Sequence, residues 1–206
     1  MMDFITILKG VKYMNNQKTK SIVYNALLIA IVVILAVVPN LGFIQVGGMA
    51  ITIVHIPVII AAILFGYKSA LLMGFAFGIS SLLVAATRGA AFDILYVNPL
   101  VSVVPRVLFA IATVAIYNFT KTLIKDDIIN VGISAFLSSL VHSILVISAL
   151  YLSVSLGFAD EFLSMISGGF WAFIFAMIGL QVLGEAVLAT IVTVPVVKAL
   201  RKVINR

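Results

Sequence analysis

Six apolar segments fill most of this 206-residue chain, and 11 of its 13 Lys and Arg residues sit in the tails and in alternate connections between them. Those eleven are Lys9, Lys12, Lys18, Lys20, Lys68, Lys121, Lys125, Lys198, Arg201, Lys202 and Arg206. The opposite connections, Pro39–Ala50, Thr87–Asn98 and Ser153–Gly168, hold only Arg88 among basic residues, beside Asp93, Asp160 and Glu161. One crossing of a bilayer takes about 20 apolar residues. That ruler places spans near Ile22–Val38, Ile51–Phe65, Ala70–Ala86, Pro99–Phe119, Ile128–Leu152 and Gly169–Ala199. The second is short and the sixth long, so tilt, partial crossing or extension past the bilayer is expected there. Basic residues accumulate on the cytoplasmic side of membrane helices, which puts both termini in the cytoplasm, and an even number of crossings agrees. The fold class expected is an all-α integral membrane protein, a six-transmembrane-helix bundle. Residues 1-20 form a cytoplasmic N-terminal segment and residues 21-206 a six-helix membrane domain.

Composition narrows the function. Apolar residues make up 64% of the chain and the mean hydropathy is +1.29, against about 45–50% apolar in soluble domains. The net charge of +6 comes from short clusters beside the spans, which is a topology signal and not a nucleic-acid patch. Zero cysteines remove thiol catalysis, disulfides and cysteine-ligated metals. The stretch Met1–Lys20 is mixed polar and basic, unlike a signal peptide, and Met1–Tyr13 reads as an extended start or a short surface helix. Enzyme signatures are missing: there is no H-E-x-x-H, G-x-S-x-G or P-loop run and no paired intramembrane aspartates. No cofactor or metal is called for, and any ATP hydrolysis belongs to another subunit.

Ionisable groups inside a membrane cost at least about 2.5–3.5 kcal/mol and mark functional positions. Four occur here, His55, Arg106, His142 and Glu185. At about 1.5 Å per helical residue, the first three fall in the outer half, where they suit an anionic or hydroxylated small molecule. Arg106 offers a two-pronged fork to a carboxylate. It follows Pro105, however, so a second role is open, binding carbonyls freed by a proline kink. His142 lies in the polar run Ser138-Ser139-Leu140-Val141-His142-Ser143, which also fits helix-to-helix hydrogen bonding. His55 reads equally as a boundary residue. Counted from Gly169, Glu185 falls about 24 Å down the sixth helix, in the inner half and away from the other three. Candidate walls of the site are Gln45, Tyr96, Asn98, Trp171 and Gln181, with Thr52 beside them. Tyr96 and Trp171 also fit an aromatic belt, and Asn98-Pro99 has the form of a helix N-cap. Pro39-Asn40-Leu41-Gly42 and Gln45-Val46-Gly47-Gly48 make the first outer connection a turn-rich, apolar flap, either a lid or a loop dipping into headgroups. Gly66, Gly74 and Gly78 ease packing of the second and third spans.

Three stretches carry a resemblance: Ala26-Leu27-Leu28-Ile29-Ala30, then Ile51-Thr52-Ile53-Val54-His55-Ile56-Pro57 with Gly66-Tyr67-Lys68, then Asn98-Pro99 through Pro105-Arg106. Over roughly Lys18–Lys202 the chain resembles the substrate-binding S components of energy-coupling-factor (ECF) vitamin transporters, and the third stretch looks like pantothenate-type members. The resemblance implies a capture protein of the bacterial cell membrane. It would take a water-soluble vitamin from outside, close its first loop, dock on an ECF transmembrane coupling subunit driven by two ATPase subunits, and topple to release its cargo. Ala26 and Ala30 would be the docking residues. Substrate contacts would come from Arg106, His142, Asn98, Gln181, Gln45, Tyr96, Trp171 and His55. Pantothenate is the first expectation and riboflavin, stacking on Phe43, Tyr96 or Trp171, the alternative within the family. Outside it stand a stand-alone proton-coupled secondary carrier, using His142 or Glu185, and a membrane scaffold without a ligand.

Overall fold

The computed structural model describes residues 4–46, 49–89, 93–158, 167–169 and 180–204. Among the described residues eight helices and one hairpin run in the order α1 (Phe4–Val37), β1 (Phe43–Val46), β2 (Met49–Thr52), α2 (His55–Phe65), α3 (Tyr67–Arg88), α4 (Asp93–Tyr96), α5 (Pro99–Ser102), α6 (Val104–Leu123), α7 (Asp127–Ser155) and α8 (Leu180–Ile204). Among the described residues five stretches are long and apolar enough to cross a membrane: Thr19–Val37, Tyr67–Arg88, Pro99–Leu123, Asp127–Ser155 and Val182–Ile204. The protein is a helical membrane protein, and its outward-facing side chains are correspondingly apolar, as Ile22, Leu72, Leu83, Leu123 and Ile191 show.

The expected second span is corrected. Ile51 and Thr52 belong to strand β2, and helix α2 begins at His55 and runs 11 residues, about 16 Å of rise against a hydrocarbon core of about 30 Å. Every residue from His55 to Ile63 is buried, because α2 is ringed by α1, α3, α6, α7 and α8. A helix apolar on all sides belongs at the centre of a bundle, and this one is unbroken hydrocarbon from Ile56 to Phe65. Pro57 is tolerated because its missing N–H falls in the first turn. Gly66, at φ 74, ends α2 and lets α3 start at the next residue. The predicted minimal turn is thus a single glycine.

The flap is an antiparallel hairpin, pairing Phe43 with Thr52 and Val46 with Met49. Gly47 and Gly48 lie outside the described residues. Asn40 turns the chain out of α1 with a φ of 58, a conformation that asparagine tolerates better than most residues. Gly42 then lies against α1 so closely that a Cβ would come 2.2 Å from the Leu35 carbonyl oxygen.

Helix α1 continues without interruption from Phe4, replacing the expected extended start or short surface helix. The fourth apolar segment breaks at Val103 into α5 and α6, with Pro105 in the first turn of α6. Gly74 and Gly78 of α3 face this break. Added Cβ atoms would meet the Arg106 carbonyl oxygen at 2.9 Å and the Val103 Cα at 2.7 Å. These two glycines therefore serve contact of α3 with α5 and α6, and it is this close approach that sets Arg106 against α3. The last long helix is described from Leu180 to Ile204, past the expected end at Ala199; residues 170–179 of the expected Gly169–Ala199 span lie outside the described residues.

Candidate functional site

Proline chemistry places the arginine. Because Pro105 has no N–H, the carbonyl of Val101 loses its ordinary helical donor four residues on. Arg106 takes that role: its Nη1 donates to the Val101 carbonyl at 2.7 Å. One prong of the fork is therefore committed to backbone, as the kink reading anticipates. The other edge is little used. Nη2 lies 3.5 Å from Ser81 Oγ, and Nε has no hydrogen-bond partner. The side chain is 3% exposed and lies between two ring faces, with its Cζ 5.2 Å from the centroid of Tyr96 and 5.5 Å from that of Phe77. Such cation–π contacts stabilise a guanidinium but leave its in-plane donors free.

Phe77 leads from Arg106 to the histidines. Its ring stacks on His142 at 5.6 Å, and His142 stacks on His55 at 5.1 Å with 6° between the planes. Phe109 closes the group edge-on, 4.9 Å from His142 and 6.3 Å from His55. His55 is fully buried and its Nε2 is 3.0 Å from Ser139 Oγ, which ties α2 to α7. His55 is therefore a central residue and not a boundary one. His142 is 3% exposed, and neither of its ring nitrogens has a hydrogen-bond partner. The polar run on α7 divides its labour: Ser139 and Ser143 join helices, while His142 keeps two unsatisfied nitrogens in a low-dielectric site, where such groups are costly.

Glu185 was expected far from this group, and that expectation is corrected. Its carboxylate is 4% exposed. Oε1 accepts the backbone N–H of Thr52 at 2.6 Å and Oε2 the hydroxyl of Ser143 at 3.4 Å. It therefore stands at the base of the hairpin, one residue along α7 from His142. Helical rise gives depth along one helix but not which neighbours pack there, and it is the contact with Thr52 of the hairpin that brings Glu185 to this group.

The remaining candidates divide. Tyr96 is drawn in through its ring contact with Arg106, and its carbonyl accepts the Ser102 hydroxyl. Asn98 caps α5, accepting the Leu100 N–H at 2.9 Å, so its side-chain oxygen is in structural use. Gln45 lies on β1 and Gln181 in the first turn of α8, but neither side chain is among the described ones. Trp171 lies outside the described residues. Ala26 and Ala30 are both exposed on α1, four residues apart and so on one face. Sequence reasoning passed over Phe77, Phe109 and Ser81, and took Ser139 only as part of the polar run on α7 that fits helix-to-helix hydrogen bonding, the role it has against His55. The serines carried a usable signal, since hydroxyls in an apolar span need a partner. The phenylalanines carried none among the chain's 14.

Near the hairpin a second clasp forms. Arg88 pairs with Asp93 through both carboxylate oxygens, Nε to Oδ2 at 2.9 Å, while its Cζ sits 5.6 Å over the ring of Phe43. The paired residues at the mouth of the hairpin are thus both held, Phe43 by Arg88 of α3 and Thr52 by Glu185 of α8.

Apolar outer faces, a buried central helix and a buried polar cluster gathered beneath a clasped hairpin define a multi-pass helical membrane protein. Comparison with known families gives the particular one. The chain belongs to the ECF transporter substrate-specific components, whose family model matches residues 20–197. A pantothenate transporter, PanT, from Leuconostoc mesenteroides subsp. mesenteroides is 33% identical over 100 residues, which is 46% of this chain and 49% of that relative. The match thus spans about half the length of the relative.

Proposed function

We propose that this protein is the pantothenate-capturing subunit of an ECF-type transporter. In this reading residues 21-206 pass the membrane six times, the short helix α2 completing its pass together with the hairpin before it, and both termini lie in the cytoplasm of a bacterial cell. The observation that carries the reading is the free edge of Arg106. Nε and Nη2 form the side of a guanidinium that binds a carboxylate with two parallel hydrogen bonds, and here that side has one unpartnered donor and one 3.5 Å contact. Pantothenate has a single carboxylate for this edge, and its amide and hydroxyls suit the two unsatisfied nitrogens of His142. The likeness to a pantothenate transporter supports the same choice. Riboflavin is disfavoured because Arg106 already occupies a face of Tyr96 and Arg88 sits over Phe43, two of the three rings expected to stack on it.

Capture would be followed by docking on a membrane coupling subunit through the Ala26 and Ala30 face, ATP hydrolysis by two further subunits and toppling of the bundle to release the vitamin inward. The test is a thermodynamic cycle of pantothenate against its neutral alcohol analogue, for wild type and Arg106→Gln, in detergent-solubilised protein. Hydrogen bonds to a charged group contribute about 1.5–3 kcal/mol, so wild type should prefer the acid by about 10- to 100-fold and the variant should not discriminate. Equal preference in both proteins would remove Arg106 from carboxylate recognition. A secondary carrier would instead show pantothenate uptake in vesicles lacking any ATPase subunit.

A further inference from the structure

At the end of the bundle opposite the hairpin, two helices bring cations together around one ring and a third adds a carboxylate. Arg201 of α8 donates Nη2 to the Tyr117 hydroxyl at 2.8 Å, and its Cζ lies 5.9 Å from the Tyr117 centroid. Lys121 of α6 places its Nζ 5.9 Å from the same centroid. Asp127, the first residue of α7, pairs with Arg201 and lies 3.4 Å from the Tyr117 hydroxyl. Beside them is a cavity of about 120 Å³ lined by Ile128, Val131, Val194 and Val197, with Asp127, Lys198 and Arg201 at its polar edge. The charge is unbalanced. Lys121, Lys198 and Arg201 face one carboxylate, since the neighbouring Asp126 is turned to the Ile129 N–H as the cap of α7. Both lysines are exposed.

We propose that this cavity binds one anionic phospholipid, its phosphate between Lys121 and Lys198 and an acyl chain along Ile128 and Val194. Two observations point to lipid above a free anion or an acidic protein. The site lies where the spans Pro99–Leu123 and Asp127–Ser155 meet, which is headgroup level, and basic pockets between helices at that level are where anionic headgroups bind. Its floor is aliphatic and small, matched to a methylene chain and not to a protein surface. Tyr117, fixed by Arg201 and Asp127, holds the cations in place, so the site is built before lipid arrives. Lipid occupancy would then add a further bridge among α6, α7 and α8 at this end of the bundle, beside the contacts of Arg201, Tyr117 and Asp127.

The experiment is native mass spectrometry of the full chain in detergent, titrated separately with phosphatidylglycerol and phosphatidylcholine. Wild type should retain one phosphatidylglycerol at several-fold lower lipid concentration than phosphatidylcholine. The variant Lys121→Gln/Lys198→Gln should lose that preference, Lys198→Gln alone should lose part of it, and Lys68→Gln, a charge removed elsewhere, should keep it. Removing exposed ammonium groups leaves the packing intact, and the single variant gives a reading if the double one does not purify. Equal retention of the two lipids by wild type would overturn the proposal and leave the surface to a protein partner. So would unchanged preference in the double variant. Displacement of phosphatidylglycerol by millimolar inorganic phosphate would also overturn it, because a free anion would then suffice without the apolar floor.

Discussion

Single carboxylates rarely sit within helical membrane bundles without a reason, and Glu185 has two: the Thr52 amide and the Ser143 hydroxyl. Strand β2 ends at Thr52, so that amide has no place in a helical ladder and would be an orphan without the carboxylate. Glu185→Ala should therefore cost about 1–3 kcal/mol, the usual cost of an unsatisfied buried donor, read as a lowered Tm in detergent. Glu185→Gln keeps an acceptor oxygen for Thr52 and should remain close to wild type. An equal loss in both variants would mean that the charge itself, and not the hydrogen bond, does the holding. At this scale the sequence was partly legible. The rarity of charge in apolar spans picked out His55, Arg106, His142 and Glu185, and three of these meet as expected. Their roles were less readable, because whether Arg106 serves Val101 or a ligand depends on which prong points where. Pro105 announced one half of that answer and only the folded geometry supplied the other.

Elements tell a similar story. Apolar length and flanking charge located five spans to within a few residues at most ends, since membrane helices have only one way to satisfy their backbone. The exceptions share a cause. Strand β2 and helix α2 are both apolar, so hydropathy could not mark where Thr52 ends the one and His55 begins the other, nor that the helix would be too short to cross. Helix α1 offers the clearest functional expectation. Its Ala26 and Ala30 are exposed while Asn25, Leu28 and Val32 turn inward, so small side chains occupy the lipid-facing side, where close helix contact becomes possible. Ala26→Trp/Ala30→Trp should abolish vitamin uptake in cells and leave pantothenate binding by the isolated protein within about twofold of wild type, since neither residue packs inside. Lost binding would instead assign the pair to folding.

For the whole molecule the open quantity is sidedness, and the absence of cysteine makes it directly measurable. With both termini cytoplasmic, the connection after α6 faces inward and the end of α7 outward. Leu156→Cys should then react with a membrane-impermeant maleimide on intact cells, and Lys125→Cys only after permeabilisation; the reverse pattern would invert the protein. The buried central helix has a consequence for how such a chain is made. Helix α2 is too short to sit stably in a bilayer alone, yet α6, α7 and α8, which make up much of its wall, are synthesised after it. It must leave the translocation machinery before its surroundings exist. The packing of α2 is therefore completed only once the later helices arrive, and a nascent chain stalled before α8 would leave one side of its aliphatic surface uncovered.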